Sequence, residues 1–205
     1  MIESKKTKQQ LDADKVRSFI AIETNQKVKK TSDELIEKLK RMGFRASWTK
    51  TSNTHLTLFF LGDQNITKLA QLAYKIGDRL AGFPTFHFYV EKLGFFERNS
   101  IPRVLWLGIR EDTTLNGLYE EIKKVLKMCE FEVKENVFTP HITIGRVKNY
   151  PKHWKELLSS TSFEEIKVFV NSIEIYSSEL TKNGPMYNKL YTIDFEGGVI
   201  INGQR

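Results

Sequence analysis

Two short segments constrain this chain more than anything else in it. His55-Leu56-Thr57-Leu58 and His141-Ile142-Thr143-Ile144 share the pattern His-aliphatic-Thr-aliphatic and stand 86 residues apart. Each falls in a β-prone run, Thr54 to Leu61 and Phe138 to Val147. Side chains two apart in a strand point to the same face. His55 and Thr57 therefore share one face, and Leu56 and Leu58 share the other. The second copy repeats this with His141 and Thr143 against Ile142 and Ile144. Each strand must bury its aliphatic side and present an imidazole and a hydroxyl on the opposite one. If a pseudo-two-fold axis relates the two halves, the His/Thr pairs face each other across a cleft.

Two opposed imidazoles suit cleavage of a phosphodiester. An ordinary pKa of ~6.5 lets one ring accept a proton while the other donates one near neutral pH. In-line displacement keeps the two on opposite sides of phosphorus. The Thr57 and Thr143 hydroxyls and a nearby cation can hold the non-bridging oxygens as charge redistributes. Arg146, five residues after His141 and expected at the strand's end, is the candidate cation. A lone His-x-Thr is most often structural; two copies at matching places in a duplicated layout favour chemistry. A zinc site usually takes three or four protein ligands. Neither motif contains Asp, Glu or Cys, so neither a metal nor another cofactor is expected.

The rest of the chain supplies a frame for such a cleft. Arg17 to Glu23 reads as a strand, with Phe19 and Ala21 on one face and Ile20 and Ile22 on the other. A helix is expected from the capping-box spacing of Thr31-Ser32-Asp33-Glu34 through Leu35, Ile36, Leu39 and Met42 to Gly43. A second helix follows Asp63, with apolar residues from Ile66 to Leu80 at helical spacing. Phe83–Leu93 and Val104–Ile109 read as strands, with Gly94 to Pro102 between them as a loop. A third helix is marked by Leu115, Leu118, Ile122, Val125 and Leu126, and a short one is expected between Pro151 and Ser159. Ile166–Tyr176 and Tyr187–Phe195 complete the strands, joined by a loop at Asn183-Gly184-Pro185. Helices with mostly antiparallel strands make an α+β fold. No low-complexity linker divides it, so two lobes must share a joint core. Residues 17–195 are expected to form this single domain, with a frayed extension at 1–16 and a tail at 196–205.

Composition narrows the partners. The formal net charge of +7 favours polyanions such as nucleic acid. No apolar run approaches the ~20 residues of a membrane helix, so no membrane partner is expected. The polar start lacks the apolar core of a secretory signal. A single cysteine, Cys129, cannot form an internal disulfide. A cytoplasmic monomer is the expectation. His87, His153 and Cys129 read as edge, surface and buried structural residues.

With both motifs on the page, the sequence resembles the 2H phosphoesterases, and within them the RNA 2',3'-cyclic phosphodiesterase or 2'-5' RNA ligase branch. The resemblance extends to Arg17-Ser-Phe-Ile-Ala-Ile-Glu23, Trp48, His55-Leu-Thr-Leu-Phe-Phe-Leu-Gly62 and Pro102-Arg-Val-Leu-Trp-Leu-Gly108. It continues through Pro140-His-Ile-Thr-Ile-Gly-Arg146, Ser178-Glu-Leu180 and Gly184-Pro-Met-Tyr187. It implies a two-lobed α+β fold of duplicated antiparallel sheets, with helices packed outside and a central basic cleft. It also implies hydrolysis of RNA 2',3'-cyclic phosphate ends to 2'-phosphomonoesters, His55 matching the general acid and His141 the general base. Thr57, Thr143 and Arg146 match phosphate-binding positions, and Phe60 matches one where an aromatic stacks on a base. Strict alternation instead puts Phe60 with Leu56 and Leu58 in the core, unless the strand bends near Gly62. Arg103 and Tyr187 are further candidates for the cleft border. RNA carrying a cyclic phosphate, tRNA halves included, is the implied partner. Two alternatives share these residues: reversible 2'-5' RNA joining, and a non-catalytic module that binds RNA phosphate in the same cleft.

Overall fold

The computed structural model describes residues 15–110, 112–133, 137–182 and 184–202. In chain order the elements are β1 (Lys15–Glu23), α1 (Gln26–Arg41), β2 (Arg45–Trp48), β3 (His55–Asn65), α2 (Ile66–Leu80), β4 (Phe86–Arg98) and β5 (Ile101–Ile109). There follow α3 (Thr113–Met128), β6 (His141–Asn149), α4 (Trp154–Ser159), β7 (Ile166–Val170), β8 (Ser172–Thr181), β9 (Gly184–Asp194) and β10 (Val199–Ile201). A short 3-10 turn, Thr51–Asn53, precedes β3.

The strands form two five-stranded sheets, ordered β10-β9-β8-β1-β3 and β2-β6-β5-β4-β7, and every pairing within them is antiparallel. This is the expected duplicated α+β architecture, but the sheets are not the two halves of the sequence. β2 leaves the first sheet's chain to pair with β6, and the expected single strand Ile166–Tyr176 is two strands. It breaks at Asn171, with β7 ending the second sheet and β8 entering the first. Each lobe thus holds chain from both halves, which is why no linker separates them.

The buried stripes of α1, α2 and α3 (Leu35 and Leu39; Leu69, Ala73 and Ile76; Leu118 and Ile122) join the apolar faces of both sheets in one continuous core. The opposite faces of the sheets are left for the cleft. Each of these helices starts on a side-chain cap: Asn25 accepts from the Val28 amide, Asn65 from Thr67 and Asp112 from Leu115. The first cap places the start of α1 before the expected capping box. Thr31-Ser-Asp-Glu34 lies inside the helix, where Ser32 bonds back to the Val28 carbonyl at 2.8 Å.

Three other expectations are corrected. Gly94 to Pro102 is not a loop: β4 and β5 run on as a hairpin turning at Asn99-Ser100, whose φ of 54° and 58° suit a tight turn that matches strand twist. Gly184 and Pro185 begin β9 instead of forming a connecting loop. Residues 196–202 are not a frayed tail, because β10 pairs with Ile193, Thr192 and Tyr191 of β9. At the other end β1 begins at Lys15; the rest of the expected extension lies outside the described residues.

Candidate active site

The two histidines open strands with the same backbone irregularity. In β3, Thr57 pairs with Ala21 and Phe59 with Ile20, so Leu58 is an extra, bulged residue. In β6, Thr143 pairs with Trp106 and Gly145 with Leu105, so Ile144 is the extra one. The bulge falls three residues after each histidine and reverses the alternation beyond it. Leu58 and Phe59 are both buried, as are Ile144 and Gly145. The fifth residue after each histidine consequently turns outward, and those residues are Phe60 and Arg146. The bulge overrides the alternation that put Phe60 in the core: it is 71% exposed. Arg146 lies within β6, not at its end.

Both imidazoles are held alike. His55 Nδ1 lies 2.6 Å from the Asn53 carbonyl, and His141 Nδ1 lies 2.7 Å from the Thr139 carbonyl. A carbonyl only accepts, so Nδ1 carries the hydrogen in each ring and Nε2 of the neutral ring is left basic. Their surroundings differ. His55 Nε2 is 3.0 Å from Thr57 Oγ1, whose hydroxyl donates to it. Its ring stacks on Phe19 at 4.9 Å and meets the edge of Tyr187 at 5.4 Å. His141 stands against the edge of Phe96 at 4.9 Å, with Trp106 at 6.2 Å. Burial pushes the pKa of both rings below the ordinary imidazole value, partly opposed by the carbonyl hydrogen bond at Nδ1. The charge of His141 lowers His55 further, and that of Arg146 lowers His141.

Between the sheets lies a cavity of about 560 Å³. His55, Thr57 and Phe60 line it from β3, and Thr143 and Arg146 line it from β6. His141 stands at its margin, close enough to act on His55 electrostatically but not on the cavity wall itself. Tyr187 lines it from β9, as expected. Arg103 does not: it is an exposed bulge residue of β5, unpaired between Pro102 and Val104. The wall also includes Arg17, Phe19, Trp48, Lys50 and Asn53, which the reading of the two motifs did not single out as site residues. Trp48 lies over Gly145, where an added Cβ would come within 2.7 Å of the indole. Asn53 donates to the Pro185 carbonyl at 2.8 Å, tying the turn before His55 to the start of β9. Only the tertiary fold brings these residues together, so local pattern carries no signal for them; Arg17, Phe19 and Trp48 stand in the resembling stretches, and Lys50 and Asn53 do not.

Among the cavity-lining residues are three cations, Arg17, Lys50 and Arg146, and no carboxylate. Such a wall favours anionic ligands. Among the described residues no group of three or more His, Cys, Asp or Glu could hold a metal ion, and no helix is long and apolar enough to cross a membrane. His87 is exposed against Phe169, His153 is exposed just before α4, and Cys129 is half-buried at the end of α3.

The fold agrees with comparisons to known proteins. An RNA 2',3'-cyclic phosphodiesterase of Thermotoga maritima is 47% identical over 185 residues, covering 90% of this chain and 98% of that one. One from Aeropyrum pernix is 32% identical over 78% of this chain and 92% of its own. Among solved structures, TT0787 of Thermus thermophilus matches with a TM-score of 0.73 at 21% identity, covering 88% of this chain and 98% of that one. Escherichia coli LigT complexed with 3'-AMP matches at 0.69 and 22% identity, covering 87% and 97%. At those identities the structural likeness speaks for the fold. The sequence profile of the 2'-5' RNA ligase superfamily matches residues 27–182, and with the Thermotoga relative it shows that this chain belongs to that superfamily.

Proposed function

We propose that this chain is an RNA 2',3'-cyclic phosphodiesterase that opens the cyclic phosphate at an RNA 3' end to a 2'-phosphomonoester, using its two histidines and no metal ion. The observation that carries the reading is the pair of imidazoles, each fixed through Nδ1 on a backbone carbonyl so that Nε2 is the nitrogen left for proton transfer, beside a cavity walled by cations and hydroxyls. The names of the relatives support the same activity.

In this mechanism His141 Nε2 takes a proton from water as the water oxygen bonds to phosphorus. The P–O3' bond breaks and O3' receives the proton held on His55 Nε2. The developing charge on the non-bridging oxygens is met by Thr57, Thr143 and Arg146, aimed where it appears. The more open setting of His141 suits the partner of a water molecule. The closer packing of His55 suits the group that meets the ribose oxygen. Afterwards His141 holds a proton and His55 lacks one, and exchange with solvent resets the pair. Because both rings sit below the ordinary imidazole pKa, the free protein at pH 7 carries them mostly neutral. The base is ready, and the anionic phosphate draws in the proton that the acid needs.

With a 5'-hydroxyl in place of water, the same groups would join two RNA ends through a 2'-5' linkage. A monomer acting on ends such as those of tRNA halves in the cytoplasm is the simplest setting. The test is an oligonucleotide ending in a 2',3'-cyclic phosphate, incubated with EDTA and followed by phosphorus NMR. The expected product is the 2'-monoester. Tight binding with an unchanged cyclic end would instead identify a phosphate-binding module and sink the enzymatic reading.

A further inference from the structure

The charge on the cavity wall exceeds what one cyclic phosphate needs. That group carries one negative charge, and Arg146, on the same strand as His141 and Thr143, stands to meet it. Arg17 is a second guanidinium on the same wall, from the other sheet. Its side chain is exposed, and it forms no ion pair among the described residues although Asp63 stands opposite it across the ladder. Tyr187 shares that wall, and both arginines act electrostatically on its phenol.

Arg17 is also displaced from the reacting centre in a definite direction. Along the β1–β3 ladder the rows run from Ala21 opposite Thr57, through Phe19 opposite Phe60, to Arg17 opposite Asp63. At ~3.3 Å per residue the Arg17 row lies about 13 Å beyond the Thr57 row, and an extended arginine side chain closes part of that gap. Between the two rows Phe60 offers an exposed aromatic face of the kind on which bases stack. Phosphate, base and second cation therefore follow one another along the strand.

We propose that Arg17, on the wall it shares with Tyr187 and Phe60, is a second phosphate subsite that takes the phosphodiester on the 5' side of the cyclic-ended nucleotide. The substrate is then recognised as an oligonucleotide end and not as an isolated nucleoside cyclic phosphate. This rests on the cyclic phosphodiesterase reading above.

The experiment compares kcat/KM for uridine 2',3'-cyclic phosphate with that for the same compound bearing a 5'-phosphate, at low and moderate salt. Wild-type protein is expected to favour the 5'-phosphorylated compound by about tenfold or more, less so as salt rises. Arg17→Gln is expected to collapse that preference to near unity, and Arg17→Lys to keep part of it because a point charge remains. No preference in the wild type, or a preference intact in Arg17→Gln, overturns the subsite. So does an equal loss on both compounds in Arg17→Gln, which would assign Arg17 to the reacting phosphate. Failure of the wild type to turn over either compound overturns the underlying activity and the subsite with it.

Discussion

The first histidine strand and the second share a backbone plan and differ in what surrounds it. Both run His, buried aliphatic, Thr, bulged aliphatic, buried residue, outward residue, and both fix Nδ1 on the carbonyl two residues back. Yet His55 is bonded at both ring nitrogens and stacked on Phe19, while His141 is more open and sits near the Arg146 charge. The outward residue is an aromatic in one strand and a guanidinium in the other. A duplicated frame sets two imidazoles at matching positions, and neighbours that do not repeat give them unlike surroundings. In the proposed mechanism one strand meets ribose and base, the other water and phosphate.

The largest effects should come from the histidines themselves. His55→Ala and His141→Ala should each lower kcat on a cyclic-ended RNA by about 10²–10⁴-fold. Their difference tests the comparison: a nitrophenyl phosphodiester, whose leaving group needs no proton, should restore much of the rate to His55→Ala and little to His141→Ala. Equal rescue of both would erase the division of roles. Next come the outward residues. Phe60→Ala should raise KM roughly 5- to 150-fold, the span of ~1–3 kcal/mol for one stacked base. It should leave ribose 2',3'-cyclic phosphate, which has no base, nearly unaffected. Arg146→Ala should weaken both substrates alike, and a base-dependent loss there would contradict the assignment.

The pH dependence gives a smaller but direct reading of the two environments. With both imidazoles held below ~6.5 by burial, kcat/KM should follow a bell whose maximum lies below pH 6.5 and falls as pH rises above it. The two limbs belong to the coupled pair, since each charge disfavours the other. A maximum above pH 7 would mean that these rings are not the acid and base.

The smallest expected effect on catalysis, though not on stability, lies behind His55. Glu174 is 3% exposed, pairs across β1 with Ala21 and accepts from the Glu23 amide at 3.2 Å. Burial raises its carboxyl to about 7, because Lys189 spends its short contact of 2.8 Å on Glu23 and stands 4.0 Å from Glu174. A folded pKa above the unfolded one contributes stability below about pH 4.5 that is lost as pH rises to about 7. The loss is on the order of 3 kcal/mol at most. Glu174→Gln should flatten denaturant stability over that window. An unchanged slope between pH 4.5 and 7 would show that Glu174 does not titrate there.

Much of this molecule could be read from particular residues. The two His-x-Thr strands, the apolar stripes of α2 and α3, and the place of Gly43 after α1 were all legible, because each depends on spacing within a few residues. The α1 start was misplaced because two capping signals compete there, and the packed core decides for Asn25 over Thr31. The hairpin at Asn99-Ser100 was hidden because its Gly94 and Pro102 imitate a loop. Phe60 was ambiguous for a sharper reason: a bulge at Leu58 has no signature in the side chains of β3, and exists only in its register against β1.

The amino-acid order alone determined which side chains could do chemistry and that they came in two matching sets, since alternation along a strand is a property of the strand itself. It also set the excess of positive charge. Tertiary structure decided that Phe60 and Arg146 face the same space as the histidines, that the chain crosses between lobes at β2 and at Asn171, and that Arg17, Lys50 and Asn53 belong to the wall. Those outcomes depend on which distant strand supplies the partner hydrogen bonds, and a pairing between residues far apart in sequence leaves no trace in the neighbours of either one.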